Sequence, residues 1–308
     1  MMHFSIYLPV AENAVNLFGL VGLGGLVGFL SGLFGVGGGF LLTPILIMIG
    51  IPPTVAAASD SAQIVAASTS GTYAHARAGT VDFKMGVLLL VGGVGGGTMG
   101  VWLIKLLLRL GEANFLITIT YVVMLGGIGT YMFFESLGGL KGRPPAAPTP
   151  TRPSIYARLM QALPFKTYFP RSDVTFSLLL PLVLGVLVGI LAAIMGVGGG
   201  FIMVPVMVYM LRMPMHVVVG TSLFQILFTC INATILQACV NHTVDVVLAL
   251  LLLFGSVIGV QLGARVGKRL KADQLKILMA IIVLVVAGKM LLGLLLQPDI
   301  LVGYKEGH

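Results

Sequence analysis

Two runs of glycine, each leading into an apolar stretch, carry the clearest chemical signal in this 308-residue sequence. Gly37, Gly38 and Gly39 precede one stretch; Gly198, Gly199 and Gly200 precede the other. A helix starting after such a run offers unpaired backbone N–H groups and a partial positive charge. It can hold an anion without burying a Lys or Arg, which costs about 2.5–3.5 kcal/mol at the centre of a membrane helix. The competing reading is that these glycines only let two helices pack closely.

A second group of polar residues follows helical spacing. Ser61, Ser68, Thr72 and His75 fall on one face of one segment, and Ser222 and Thr229 sit at matching positions later in the chain, where Gln225 and Asn232 extend the face. Hydroxyls and amides can donate to the oxygens of an anion. They also serve as hydrogen-bonding glue between membrane helices. Asp60 is the one carboxylate well inside a predicted crossing, and its matching residue is Thr221. It is read as a proton site or the partner of a cation. His75 and Arg77 join it as candidates for coupling or gating, with Arg77 placed either to attract anions at an entrance or to anchor its helix. Asp82 and Asp245, each after a Thr-Val pair, read as helix N-caps.

No catalytic constellation stands beside these groups. The five His residues are scattered without metal-ligand spacing. The glycine runs lack the Lys-Ser/Thr of a phosphate loop and follow no strand. The expectation is a protein that is not an enzyme and has no cofactor and no metal.

The elements that must position these residues follow from composition. Hydrophobic residues make up 57% of the chain and charged residues 9%, against roughly 25% charged in soluble domains. Mean hydropathy is +1.06. These values exclude an ordinary soluble enzyme and a disordered chain. Apolar segments of helical length recur, and the short alternating segments of a membrane β-barrel are absent. The reading is an all-α polytopic membrane protein. The 42 glycines suit close helix approach and broken helices. The net charge of +8 does not point to nucleic acid: six of the 18 cations lie between Lys141 and Arg171, and no basic-aromatic recognition module is visible. Cys230 and Cys239, nine apart, face opposite sides of one helix and cannot bridge. The first residues, MMHFSIYLPVAEN, lack the Lys or Arg of a signal peptide, so the first apolar segment is expected to stay.

The chain repeats itself. Gly35 to Phe40 (GVGGGF) recurs as Gly196 to Phe201, and Pro44 and Pro53 match Pro205 and Pro214 at the same spacing of 161. After two inserted residues, Thr80-Val81-Asp82 matches Thr243-Val244-Asp245, and Gly92, Gly96 and Gly100 match Gly255, Gly259 and Gly263. Each half holds five apolar segments: 14–34, 40–50, 53–78, 83–109 and 113–134, then 174–195, 201–211, 214–240, 245–267 and 274–297. The domain reading is a first membrane repeat over 14–134, a Pro-rich basic linker over 135–173 and a second repeat over 174–297. The second segment, at 11 residues, makes only about 16 Å of helix against a core of about 30 Å. The first two segments are therefore expected to form a broken or re-entrant hairpin with a glycine tip. Each half then crosses an odd number of times, which makes the two repeats inverted. The basic linker is expected in the cytoplasm and both termini outside.

The doubled GVGGGF, the Pro four residues after it, Gly220-Thr221-Ser222-Leu223, Gly79-Thr80-Val81-Asp82 and the glycine ladder behind them together resemble the TauE/SafE family, also called the sulfite exporter family. The first half departs from the pattern, with Ser59-Asp60-Ser61 where the second has Gly-Thr-Ser. The resemblance implies a protein of the bacterial inner membrane that moves small sulfur-containing anions such as sulfite, sulfoacetate or other organosulfonates. Its implied partners are that anion and the lipid bilayer. A secondary transporter, in the export direction, is the leading reading; an anion channel could share the same fold and site.

Overall fold

The computed structural model describes residues 5–34, 39–140, 166–169, 171–172, 174–267 and 272–296. Among these, five helices form the first half: α1 (Leu17–Phe34), α2 (Gly39–Met48), α3 (Pro53–Arg77), α4 (Phe83–Leu110) and α5 (Ala113–Leu140). Five form the second: α6 (Leu179–Met195), α7 (Gly200–Pro205), α8 (Met215–Leu236), α9 (Val246–Gly267) and α10 (Ala272–Leu296). They follow the ten apolar segments. Most of the linker, residues 141–165, lies outside the described residues.

Local chemistry sets the helix ends. Asp82 caps α4 by accepting from the Met85 N–H at 3.1 Å, and Asp245 accepts from Leu248 N–H at 3.1 Å at the start of α9. Gly111 and Gly196 close α4 and α6 in the left-handed conformation. Pro53 opens α3, where its missing N–H costs nothing. Pro205 ends α7 because it cannot donate to the carbonyl four residues back, and the chain continues as a π turn over Val206–Met210.

Two short antiparallel hairpins depart from the all-helical expectation. β1 (Ser5–Leu8) pairs with β2 (Asn13–Asn16), and β3 (Lys166–Phe169) with β4 (Val174–Ser177). The second hairpin stands 161 residues after the first, strand for strand. Each docks on the turn before a capped helix of the opposite half. Val10 and Ala11 donate backbone N–H groups to Asp245 at 3.0 and 3.4 Å. Ser172 donates to Asp82 at 2.6 Å, and Arg171 donates to the carbonyls of Gly79 and Val81 at 2.7 and 3.1 Å.

The main helix seams all join one half to the other: α1 packs on α9, α4 on α6, α3 on α8 and α5 on α10. Glycine makes two of these seams backbone-to-backbone. On α4–α6, a Cβ at Gly185 would stand 2.6 Å from the Leu89 carbonyl oxygen, and Gly92, Gly96 and Gly189 are equally closed in by main chain. On α1–α9, Gly24 and Gly28 lie against the main chain of Leu252 and Ser256, and Gly255 and Gly259 against that of Val21 and Gly25.

Among the described residues, five helices, over Phe83–Leu110, Ala113–Phe134, Val217–Asn241, Val246–Gly263 and Ile277–Leu296, are long and apolar enough to cross a membrane. Large apolar side chains such as Trp102, Phe134, Phe254 and Val285 project from the outer surface. Water would disfavour such a surface and lipid does not. This is an integral membrane protein. α3 is long enough to join the crossing helices, about 37 Å at 25 residues, but carries Asp60, Gln63 and a series of Ser and Thr. Ser59, Asp60, Ser61, Gln63 and Ser68 are buried, whereas Thr69 and Ser70 are exposed.

Candidate functional site

The two short helices that follow the glycine runs meet at the centre of the molecule. Phe40 and Phe201, the repeat-matched residues directly after Gly39 and Gly200, are buried and stack face to face, with centroids 4.7 Å apart and planes 8° from parallel. The stack brings together the starts of α2 and α7. Gly37 and Gly38 lie outside the described residues. Gly198 and Gly199 both have positive φ, +67° and +81°, which a side chain strains. A Cβ on Gly199 would sit 2.8 Å from Val188 Cγ1, and one on Gly198 would run into Cys230 and Ile226. In this conformation the turn before α7 is therefore filled by packing on every side its glycines face.

Asp60 occupies the corresponding place in the first half. Its Oδ2 accepts from Thr43 Oγ1 of α2 at 2.7 Å, and lies 3.0 Å from where a Cβ on Gly39 would stand. Its Oδ1 is buried with no hydrogen-bond partner. Tyr121, fully buried on α5, donates its hydroxyl to the carbonyl of Met195, the last residue of α6. Thr43, Asp60 and Tyr121 thus surround one helix start with polar atoms. The second half has Val204 and Thr221 in place of Thr43 and Asp60.

The polar stripe of α3 and α8 divides on inspection. Ser61 donates to Ala57 O at 3.1 Å and across the seam to Gly196 O at 3.2 Å, so its hydroxyl holds the glycine turn of the opposite half. Thr221 Oγ1 accepts from the Asp82 N–H at 3.0 Å, and Ser59 Oγ accepts from the Asp245 N–H at the same distance. Ser222 is buried and donates to Val219 O at 3.0 Å. Gln225 donates to Thr229 at 2.9 Å, while Gln225 Oε1 is buried and unpaired. Asn232 reaches Thr98 and Val94 O on α4, at 3.2 and 3.4 Å. Ser68 is buried on the α3 face. Among the described residues, the buried polar atoms left without partners are on Asp60, Gln63 and Thr72 of α3, on Gln225 and Thr234 of α8, and on Asn241 just beyond. Such atoms call for water or a ligand, and they concentrate on the α3–α8 pair.

His75 and Arg77 are not brought to this centre. Fifteen residues separate His75 from Asp60, about 22 Å along the helix. His75 Nδ1 pairs with Thr80 Oγ1 at 2.9 Å, and exposed Arg77 lies over the Tyr73 ring. They belong to the turn that β3–β4 clamps. Thr43, Tyr121 and the Phe pair escaped the sequence reading. The available signal was the double asymmetry of the repeat, in which Thr43 and Asp60 replace Val204 and Thr221 together.

Among the described residues, no cluster of three or more His, Cys, Asp or Glu could hold a metal ion. The comparisons with known proteins agree with a membrane transporter. YjnA of Bacillus subtilis (strain 168), named a probable membrane transporter protein, is 27% identical over 267 residues, covering 85% of this chain and 94% of its own. YunE of the same organism, named likewise, is 25% identical over 273 residues, covering 85% and 92%. A probable membrane transporter protein of Xylella fastidiosa (strain 9a5c) is 26% identical over 248 residues, 80% of this chain and 83% of its own. No solved structure matches. The family model described as Sulfite exporter TauE/SafE matches residues 20–290, from the first turn of α1 to well into α10. Ten helices among the described residues, a glycine-rich run doubled in the sequence and this match lead to one conclusion: the chain belongs to the TauE/SafE family of membrane transporters.

Proposed function

We propose that the protein is a secondary transporter, working as an exporter, of a small sulfur-containing anion such as sulfite, sulfoacetate or another organosulfonate. The anion binds near the midplane between the two halves, at the starts of α2 and α7 and beside the hydroxyls and amides of α3 and α8. The glycines at 37–39 and 198–200, with Ser61, Ser68, Thr221, Ser222, Gln225, Thr229 and Asn232, form or support that place. The observation that carries this reading is the Phe40–Phe201 stack, which sets two helix starts side by side within a polar, incompletely satisfied core. Paired helix starts near the midplane are the anion-binding device of inverted-repeat carriers. The sulfur is carried by the family alone.

The repeats over 14–134 and 174–297 are read as inverted, with the linker over 135–173 cytoplasmic in a bacterial inner membrane and both termini outside. Support comes from the hairpins: β1–β2 lies against the turn before α9, and β3–β4 against the turn before α4. Alternating access carries the anion between the two sides through relative motion at the seams that meet side chain to side chain. Export of an anion from a negative-inside cell is assisted by about 2.3 kcal/mol per charge per 100 mV.

The test is thermal melting of the purified protein with sulfite, sulfoacetate, ethanesulfonate, chloride and acetate. A ligand that binds only the folded state adds about 2.7 kcal/mol at 100 times its Kd. Sulfur oxyanions should raise the melting temperature and chloride should not; a flat panel overturns the anion site. Flux into proteoliposomes that saturates and is accelerated by counterflow marks a carrier, and its absence marks a channel.

A further inference from the structure

The first half of the core holds a fixed acid where an anion carrier can least tolerate one. Asp60 is fully buried, sits against the start of α2, and has one hydrogen-bond partner, Thr43. Its second oxygen faces no donor. The titratable groups around it are Tyr121 of α5 and Cys230 of α8, both buried and neither able to supply positive charge. Asp245, the cap of α9, donates its backbone N–H to Ser59, the residue before Asp60, and its carboxylate is spent on Leu248, Val10 and Ala11. No Lys, Arg or His among the described residues offsets Asp60. The surroundings do not resemble a cation cage either: one hydroxyl is the single described oxygen that bonds the carboxylate, and Ile64 fills the space beside it.

From this geometry we infer that Asp60 is a proton-binding site, and that the carrier takes up one proton at Asp60 together with its anion. The inference rests on the anion reading above. An ionised Asp60 repels a second negative charge at the start of α2. The neutral acid removes that repulsion, and its O–H, placed on Oδ1, becomes a donor toward an anion's oxygen. The step is the balanced binding of H⁺ to a carboxylate, reversed on release. Its sign is fixed: above the pH at which free Asp60 loses its proton, the anion must bring one in, and Kd rises toward tenfold per pH unit. Thr221, the matching residue, carries no acid, so one proton is expected per anion; a dianion such as sulfoacetate then still leaves with one net negative charge, and the membrane potential assists that net charge alone.

Two measurements on the purified full-length protein decide it. The first needs no anion: infrared spectroscopy across the neutral range looks for the carbonyl stretch of a buried protonated carboxylic acid. The band should be present in the native protein and absent from Asp60→Asn. Should that variant not fold, Thr43→Val, which copies Val204, removes the one hydrogen bond and should shift the band. A carboxylate ionised throughout, or a band abolished by sodium at constant pH, overturns the proton site. The second is ethanesulfonate binding in weakly buffered solution with a pH-indicating dye, the charge of this probe being fixed across the neutral range. Alkaline native protein should take up one proton per anion and Asp60→Asn none, with the pH dependence of Kd gone. Native binding without proton uptake overturns the coupling. If the band is present but no anion in the melting panel binds, the anion reading fails and the coupling with it, while Asp60 stands as a proton site.

Discussion

Ser61 and Thr221 show what a side-chain type does not reveal until its partner is known. Each sits on the face that a ligand would touch, and each hydroxyl is already engaged with main chain of the opposite half. Thr221→Val should leave the Asp82 N–H buried and unpaired, at a cost of about 1–3 kcal/mol. Thr221→Ser should recover most of it. Melting curves of the three proteins in detergent check this, and a loss of anion affinity without a loss of stability would instead return Thr221 to the ligand. Helical spacing placed both residues on the correct face, because period and face are properties of one helix. It could not say whether the hydroxyl meets a ligand or main chain, because that depends on a segment 135 or 139 residues away. Asp82 and Asp245 were legible as caps for the opposite reason: a cap's partner is three residues along.

Helix existence and type were readable throughout, since ten apolar segments bounded by Gly, Pro and Asp leave little choice in a membrane. The hairpins were not. Their strands are four residues long, and β1–β2 docks largely through the N–H groups of Val10 and Ala11, which any residue but proline supplies. Backbone recognition leaves no trace in side-chain types, and only the constant spacing of 161 survives. Removing the acceptor exposes the contact: Asp245→Ala loses the α9 cap and both hairpin bonds, and should cost about 2 kcal/mol or more. The change should also speed amide hydrogen exchange in residues 5–16. The glycine ladders make a sharper forecast. Gly189→Ala drives a methyl into the Gly93 carbonyl and should sharply lower the yield of monodisperse protein, whereas Gly126→Ala meets nothing within 4 Å and should be silent. Size-exclusion profiles of the two variants separate packing from transport, because transport per folded molecule is expected to be unchanged in Gly126→Ala.

The whole molecule is an interleaving of two halves, neither of which owns a complete core. α1, α3, α4 and α5 each have their main partner in the other half. A first half expressed alone exposes the glycine faces of α1 and α4 with nothing against them. Two separate chains, cut between residues 140 and 166, should therefore accumulate only when made together, and an affinity tag on one should recover the other in detergent. Stable accumulation of either piece by itself would contradict the interleaved core. Topology has its own check at this scale. A cysteine placed in the linker, with Cys230 and Cys239 replaced, should resist an impermeant thiol reagent in intact cells.

The glycine seams also divide the machine into what can move and what cannot. Where α1 meets α9, and α4 meets α6, the backbones are closed to within a methyl group, so a slide of even one residue would force carbonyl into carbonyl. Each such pair behaves as a single strut made of one helix from either half. The relative motion of a transport cycle must then be taken up elsewhere, where the surfaces meet through side chains that can change rotamer: between α3 and α8, and between α5 and α10. The gearing of this protein thus runs across the repeats instead of between them. A cross-link that welds α4 to α6 should leave turnover intact, and one that welds α3 to α8 should stop it.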